Sequence, residues 1–183
     1  MKPGHVPDTT SGVRLYILRH GPAEDRAASG RDFDRALTPS GRDRVRDVAR
    51  TLGERDEAPH LIFTSPLVRA VQTAEIVATV TQLTDRGGEL RVQRELAPEG
   101  DTLGLIRASI QKGDKRVMVV GHEPDLGELA ARLSHRPFPA GLQKAMVVGL
   151  TTPKDDPLSL PMRLRFILDP KTLEWSHGAV DDD

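Results

Sequence analysis

The chain has 183 residues, a formal net charge of -1 and no cysteine. That length suits one domain with a sizeable core, and the absence of thiols excludes a disulfide framework, a thiolate nucleophile and a thiolate metal site. Aromatic residues make up only 3%, which disfavours base-stacking and carbohydrate platforms, and any attraction for an anion has to come from a local cluster of cations.

Residues 1–12 carry Pro3, Gly4, Pro7, Ser11 and Gly12 and no apolar stretch of the kind a signal peptide needs. They read as a disordered tail. Val13 to Leu18 is an apolar run that reads as a buried strand, and it closes on Arg19-His20-Gly21. Thr38-Pro39 supplies an N-cap and a first-turn proline, after which Val45, Val48, Ala49 and Leu52 follow helical spacing. This helix reads as scaffold.

Leu61 to Thr64 reads as a second strand, and Ser65-Pro66 signals the start of a helix with Leu67, Ala70, Val71, Ala74, Val77 and Ala78 on its buried stripe. Arg69 falls off that stripe, free to point above the sheet. A short strand at Leu90 to Val92 precedes a helix over Asp101 to Lys112, with Leu105, Ala108 and Ser109 turned inward. Arg116 to Val120 reads as a strand running into Gly121-His122-Glu123-Pro124, and Pro124 opens a helix with Leu126, Leu129, Ala130 and Leu133 inward. Ala145 to Leu150 and Arg163 to Leu168 read as late strands, separated by a solvated loop rich in proline and aspartate.

Strands alternating with helices imply an α/β fold, a single-domain three-layer α/β/α arrangement with a mostly parallel central sheet. The domain is expected over residues 13–170, with a C-terminal tail over 171–183. No segment approaches the roughly 20 apolar residues that span a bilayer, so a soluble, cytoplasmic protein is expected, with neither membrane nor nucleic acid as partner.

In such sheets ligands bind beyond the carboxyl ends of the strands. Arg19-His20, Ser65 to Arg69 and Gly121-His122 all fall there, which gathers two histidines and two arginines from distant parts of the chain. A phosphoryl group in flight asks mainly for positioned cations and hydrogen-bond donors. Arg19 and Arg69 supply forked donors, Arg35 stands just before its helix to join them, and His122 donates through a ring nitrogen. His20, kept neutral by the surrounding cations, is a competent nucleophile for phosphorus.

These segments resemble the histidine phosphatase superfamily. Leu18-Arg19-His20-Gly21 is similar to its nucleophile motif, Arg35-Ala36-Leu37-Thr38-Pro39-Ser40-Gly41 to its Arg-x-Leu-Thr-x-x-Gly stretch, Ser65 through Ala74 to its second phosphate-binding segment, and Gly121-His122 to its second histidine. The resemblance runs from about Val13 to about Leu168. It implies that His20 is phosphorylated during turnover, that Arg19, Arg69 and His122 form the phosphate pocket with help from Arg35, and that no metal or other cofactor takes part. Within the superfamily, the short chain, Gly-His-Glu-Pro-Asp-Leu and Glu95-Leu96-Ala97-Pro98-Glu99-Gly100-Asp101 look most like the SixA-type phosphohistidine phosphatases. Their open pocket implies a phosphorylated protein as substrate.

Larger members take their proton donor from the segment corresponding to Glu95 through Glu99, and spacing leaves Glu95, Glu99 or neither as the acid. Glu123 and Asp125 adjoin His122 but also suit the start of the next helix. Two other functions compete: a phosphatase of small phosphoesters or phosphoanhydrides, and a non-catalytic module that binds phosphorylated partners. A Ser65–His122 hydrolase pair lacks the Gly-x-Ser-x-Gly elbow, and His5, His60, His135 and His177 form no metal-binding spacing.

Overall fold

Leu15, Tyr16, Ile17 and Leu18 are each almost wholly removed from solvent, and only a strand covered on both faces buries every residue in turn. In the computed structural model, which describes residues 12–177, this strand is β1 (Arg14–Arg19). It is followed by α1 (Pro39–Glu54), β2 (Leu61–Thr64), α2 (Val68–Val80), β3 (Glu89–Val92), α3 (Thr102–Lys112), β4 (Arg116–Gly121) and α4 (Asp125–Ser134). Three further strands complete the fold: β5 (Val147–Thr151), β6 (Arg163–Leu168) and β7 (Trp175–His177). The N-terminal tail up to residue 11 and residues 178–183 lie outside the described residues.

All seven strands join one sheet in the order β3-β2-β4-β1-β5-β6-β7. The chain moves outward from β1 through β2 to β3 and then reverses to β4. With right-handed crossovers that reversal transfers the connecting helix to the opposite face. Accordingly, Val45, Val48, Ala49 and Leu52 of α1 and Ala70, Ala74 and Val77 of α2 pack with Tyr16 and Leu18 on one side. On the other, Ile106 and Ile110 of α3 and Leu126, Leu129, Ala130 and Leu133 of α4 pack with Leu15 and Ile17. Three layers result. No helix among the described residues is long and apolar enough to cross a membrane.

The sheet is mixed. Its β3-β2-β4-β1 half is parallel, while β1-β5, β5-β6 and β6-β7 pair antiparallel. For β5-β6 and β6-β7 the physical reason is the connections: after β5 no helix intervenes, and a return loop joins antiparallel neighbours. Residues 171–177, expected as part of the tail, instead turn back to form β7. Trp175 there stacks on Phe166 of β6 at a ring-centroid distance of 3.8 Å.

Two helix readings also change. α2 starts at Val68 rather than at Ser65-Pro66, with Leu67 in an extended conformation at its N-cap and no side-chain cap bond. In α3 the buried residues are Thr102, Ile106, Ser109 and Ile110, Leu105 packs partly buried against the core as expected, and Ala108 faces solvent. The Thr38 cap is as expected, with its hydroxyl accepting the Gly41 N–H at 3.0 Å.

The end of the sheet remote from the two histidines is tied by one buried carboxylate. Glu57 accepts the Tyr16 hydroxyl at 2.8 Å, the Arg165 Nη1 at 2.8 Å and its Nη2 as well, with the Arg14 Nη1 at 3.4 Å. It thereby joins β1, β6 and the loop after α1. Removing one partner of a buried charged network leaves the others desolvated and unpaired. Glu57→Ala is therefore expected to lower stability by about 3 kcal/mol, read as a lower midpoint in urea with an unchanged slope; an unaltered midpoint would show that the network contributes nothing net.

Candidate active site

β1 and β4 are adjacent and in register, with Arg19 opposite Gly121, so the residues that follow them emerge side by side. The ladder extends one step beyond the strands: the His20 N–H donates to the Gly121 carbonyl at 3.0 Å, and the Ser65 N–H to the Val120 carbonyl at 3.0 Å. This fixes three loop entries at one end of the sheet. The His20 and His122 rings lie 5.2 Å apart, centroid to centroid, and both side chains are buried.

The loop carrying His20 sits against α1 with no room to spare. A Cβ on Gly21 would come within 2.6 Å of the Val45 side chain, and one on Gly41 within 2.0 Å of the Pro22 carbonyl oxygen. Either contact would force the backbone apart. Thr73 of α2 adds a second anchor: its hydroxyl accepts the Gly21 N–H at 3.0 Å and donates to the Arg69 carbonyl at 2.7 Å. The His20 loop and the helix that carries Arg69 are thus fastened through one side chain.

The hydrogen bonds of His20 assign its proton. Nδ1 lies 2.8 Å from the Gly21 carbonyl, which accepts only, so Nδ1 donates. Nε2 accepts from the Nε–H of Arg69 at 3.3 Å. Burial pushes the imidazole down to about 3, with His122, Arg69 and Arg19 adding to the shift and the Gly21 carbonyl opposing it. The cations foreseen from the sequence act in the expected sense, but desolvation is the larger cause. Near neutral pH the ring is uncharged, with the Nε2 lone pair toward Arg69.

His122 is also held down, to about 4, first by burial and then by Arg69 and Arg19, while Asp32 and Asp125 oppose. Its Nε2 is 2.7 Å from the Ser65 hydroxyl, which already accepts the Leu67 N–H at 3.3 Å. With the hydroxyl donating to Nε2, the ring proton stands on Nδ1. Ser65 and His122 do meet, yet Ser65 is fully buried and no carboxylate bonds to His122 Nδ1, so the pair orients the ring rather than forming a hydrolase triad.

His122 Nδ1 and Arg19 Nε are buried and have no hydrogen-bond partner among the described residues. Such groups are costly to leave unpaired. In that tautomer two unpartnered donors stand beside the neutral imidazole of His20, an arrangement that suits the oxygens of a phosphoryl group. Arg19 is aimed by its Nη1, which donates to the Leu142 carbonyl at 2.6 Å.

Arg69 is buried and turned inward, as its position off the apolar stripe implies. Arg35 is not in contact with His20: its Nε donates to Asp32 Oδ1 at 2.8 Å and its Nη1 to the Glu24 carbonyl at 2.8 Å. It reaches the pocket only through Asp32, whose other oxygen meets Arg69 Nη2 at 3.1 Å. Nothing in the sequence pattern singled out Asp32; its spacing of three from Arg35 was the available signal.

Glu95 and Glu99 are both exposed, and among the described residues neither hydrogen-bonds His20 or His122. Asp125 Oδ2 accepts the Glu99 N–H at 2.9 Å. The Glu123 carboxyl, raised chiefly by burial, accepts backbone N–H groups of Leu142 and Gly127. Asp125 and Glu123 therefore brace the start of α4 and its surroundings. His135 ends α4 in a left-handed conformation, His177 lies on the edge strand β7, and the His60 N–H joins the Arg116 carbonyl; His5 lies outside the described residues. No group of three His, Asp or Glu among the described residues is arranged to hold a metal.

Comparison with known proteins agrees with this geometry. The model of the histidine phosphatase superfamily (branch 1) matches residues 15–96. Phosphohistidine phosphatase SixA of Escherichia coli (strain K12) is 33% identical over 143 residues, covering 76% of this chain and 85% of that protein. An uncharacterized protein of Picosynechococcus sp. is 39% identical over 144 residues, covering 75% and 84% respectively. A solved structure of the protein histidine phosphatase SixA complexed with tungstate superimposes with a TM-score of 0.74 at 29% identity, covering 88% of this chain and 100% of that one. The chain belongs to the histidine phosphatase superfamily, is SixA-like within it, and is a phosphatase.

Proposed function

We propose that this phosphatase removes the phosphoryl group from phosphohistidine in a cytoplasmic protein, through a covalent phosphohistidine on His20. The observation that carries the mechanism is the tautomer of His20. With Nδ1–H spent on the Gly21 carbonyl, the lone pair of Nε2 is the nucleophile. It attacks phosphorus as the substrate's P–N bond breaks, and the departing imidazole keeps the electron pair and takes a proton from solvent water. Arg19 Nε, His122 Nδ1 and the guanidinium of Arg69 receive the equatorial oxygens. Water then attacks phosphorus, the His20–phosphorus bond returns its pair to Nε2, one proton of the water stays on the departing hydrogen phosphate and the other returns to solvent.

The choice of a protein substrate rests on two features. The loop from Thr152 to Met162 lies at the far end of the sheet from His20, since β5 runs antiparallel to β1 and Thr151 is opposite Arg14. It therefore does not cover the pocket, which supports a bulky substrate. The exposed positions of Glu95 and Glu99 suit a leaving imidazole, whose departure needs a weaker acid than an alkoxide does.

His20→Ala is expected to reduce phosphate release from phosphohistidine protein on the order of a thousandfold or more, and acid-labile radiolabel is expected on His20 of the wild type. Release resistant to chelator and fastest from phosphohistidine protein supports the reading. Faster release from small phosphomonoesters would retain the mechanism and move the substrate class, while wild-type rates in His20→Ala would remove the mechanism.

The protonation states give a second test. The shifted values of about 3 for His20 and about 4 for His122 lie below the ordinary imidazole value of about 6.5. Both rings should therefore remain neutral as pH falls from 8 to 5 and acquire charge only below that, with kcat/KM losing its acid limb in the same range after correction for substrate ionisation. Nitrogen-15 imidazole NMR of the free enzyme at pH 6 should show His20 as the Nδ1–H tautomer. A midpoint for His20 near 6.5 would contradict the burial argument.

A further inference from the structure

In the free enzyme every nitrogen of the Arg69 guanidinium already has a partner. Nε donates to His20 Nε2 at 3.3 Å, Nη1 to the Asp32 carbonyl at 2.9 Å and Nη2 to Asp32 Oδ2 at 3.1 Å. The same carboxylate uses Oδ1 to accept from Arg35 Nε at 2.8 Å. One anionic group thus bridges the two arginines of the pocket mouth, as a phosphoryl group would.

Asp32 is built to be moved. It sits in a single 3-10 turn, Asp32–Asp34, none of whose residues is buried, and its side chain is 65% exposed, against 6% for Arg69. Slight burial pushes its carboxyl up, but the hydrogen bonds and charges of Arg69 and Arg35 prevail and hold it below the usual carboxylate range. It is therefore ionised whenever the enzyme works. Arg69, by contrast, is fixed in α2 by the Thr73 bond to its carbonyl, so the partner that yields is Asp32.

The geometry points to Asp32 as a displaceable stand-in for phosphate: its carboxylate occupies Arg69 and Arg35 in the resting enzyme and gives them up to the phosphoryl group when substrate binds. This rests on the phosphoryl-transfer reading of the site. Asp32 is a positioning residue, acting through Arg69 and Arg35. Its contact stabilises the free enzyme and not the complexes, so it weakens binding of substrate and of product phosphate alike, and it re-forms as phosphate departs. A site with two buried orphaned donors and three cations would otherwise retain its product.

The test is a titration of Asp32→Asn with inorganic phosphate and with orthovanadate, followed by calorimetry, beside KM and kcat on phosphohistidine protein. Asp32→Asn keeps the backbone carbonyl and removes the competing charge. It is expected to bind both anions about fivefold tighter, in line with a partly exposed charge pair, and to lower KM by the same factor without raising kcat. Asp32→Glu should return both constants toward the wild type. Asp25→Asn serves as the charge control, because Asp25 lines the same shallow cavity as Asp32 and Arg35.

Equal tightening in Asp25→Asn would reduce the effect to general repulsion and overturn the proposal, as would unchanged or weaker anion binding in Asp32→Asn with an unaltered melting temperature. Anion binding is read without turnover. A wrong substrate class would therefore leave this result intact, and an unresponsive Asp32→Asn would leave the substrate assignment intact.

Discussion

The parallel pairing of β1 with β4 is the constraint on which the site depends. Because Arg19 stands opposite Gly121, the next residue of one strand and the next of the other enter the same space, and a cluster assembled from residues about a hundred positions apart needs no further search. A slip of one residue would send Arg19 to the other face of the sheet and separate the two imidazoles. Register is protected against that slip by burial on both faces: Tyr16 and Leu18 pack under α1 and α2, Leu15 and Ile17 against α3 and α4. The hydrophobic core thus performs the first act of catalysis, which is placement.

Burial then sets the chemistry. A histidine in water is half protonated near pH 6.5 and a poor nucleophile when charged. Here desolvation and three cationic or titratable neighbours act in the same direction, so neutral His20 does not need a carboxylate to hold its proton. The Gly21 carbonyl does that with an uncharged acceptor, which orients the ring while adding no negative charge to a pocket meant for phosphate. Ser65 does the equivalent for His122. Both orienting groups are neutral, so neither imidazole is held in place by a negative charge.

What the sequence made legible was local. Arg19-His20-Gly21, Ser65 through Arg69 and Gly121-His122 each abut an apolar strand, so periodicity alone places them at strand ends, and the parallel topology brings those ends together. Thr38-Pro39 as a helix start rests on chemistry within a single turn. The parts that escaped depend on partners remote in the chain. Glu57 looks like any surface glutamate until Arg165, 108 positions away, is folded against it. Trp175 reads as part of a polar tail because its partner is the ring of Phe166. Asp32 belongs to a loop without periodicity, and Ser65 looks like a helix cap because its bond to His122 spans 57 positions.

The Leu142 carbonyl that receives Arg19 has a wider meaning. It lies in the stretch between α4 and β5, whose Ala145 N–H also reaches back to the carbonyls of Arg19 and His20. The antiparallel half of the sheet supplies neither histidine nor Arg19 nor Arg69, yet the aim of Arg19 is set from its threshold. The two halves are in this way interlocked: side chains borne by the parallel strands and helices take their bearing from backbone that leads into the antiparallel ones.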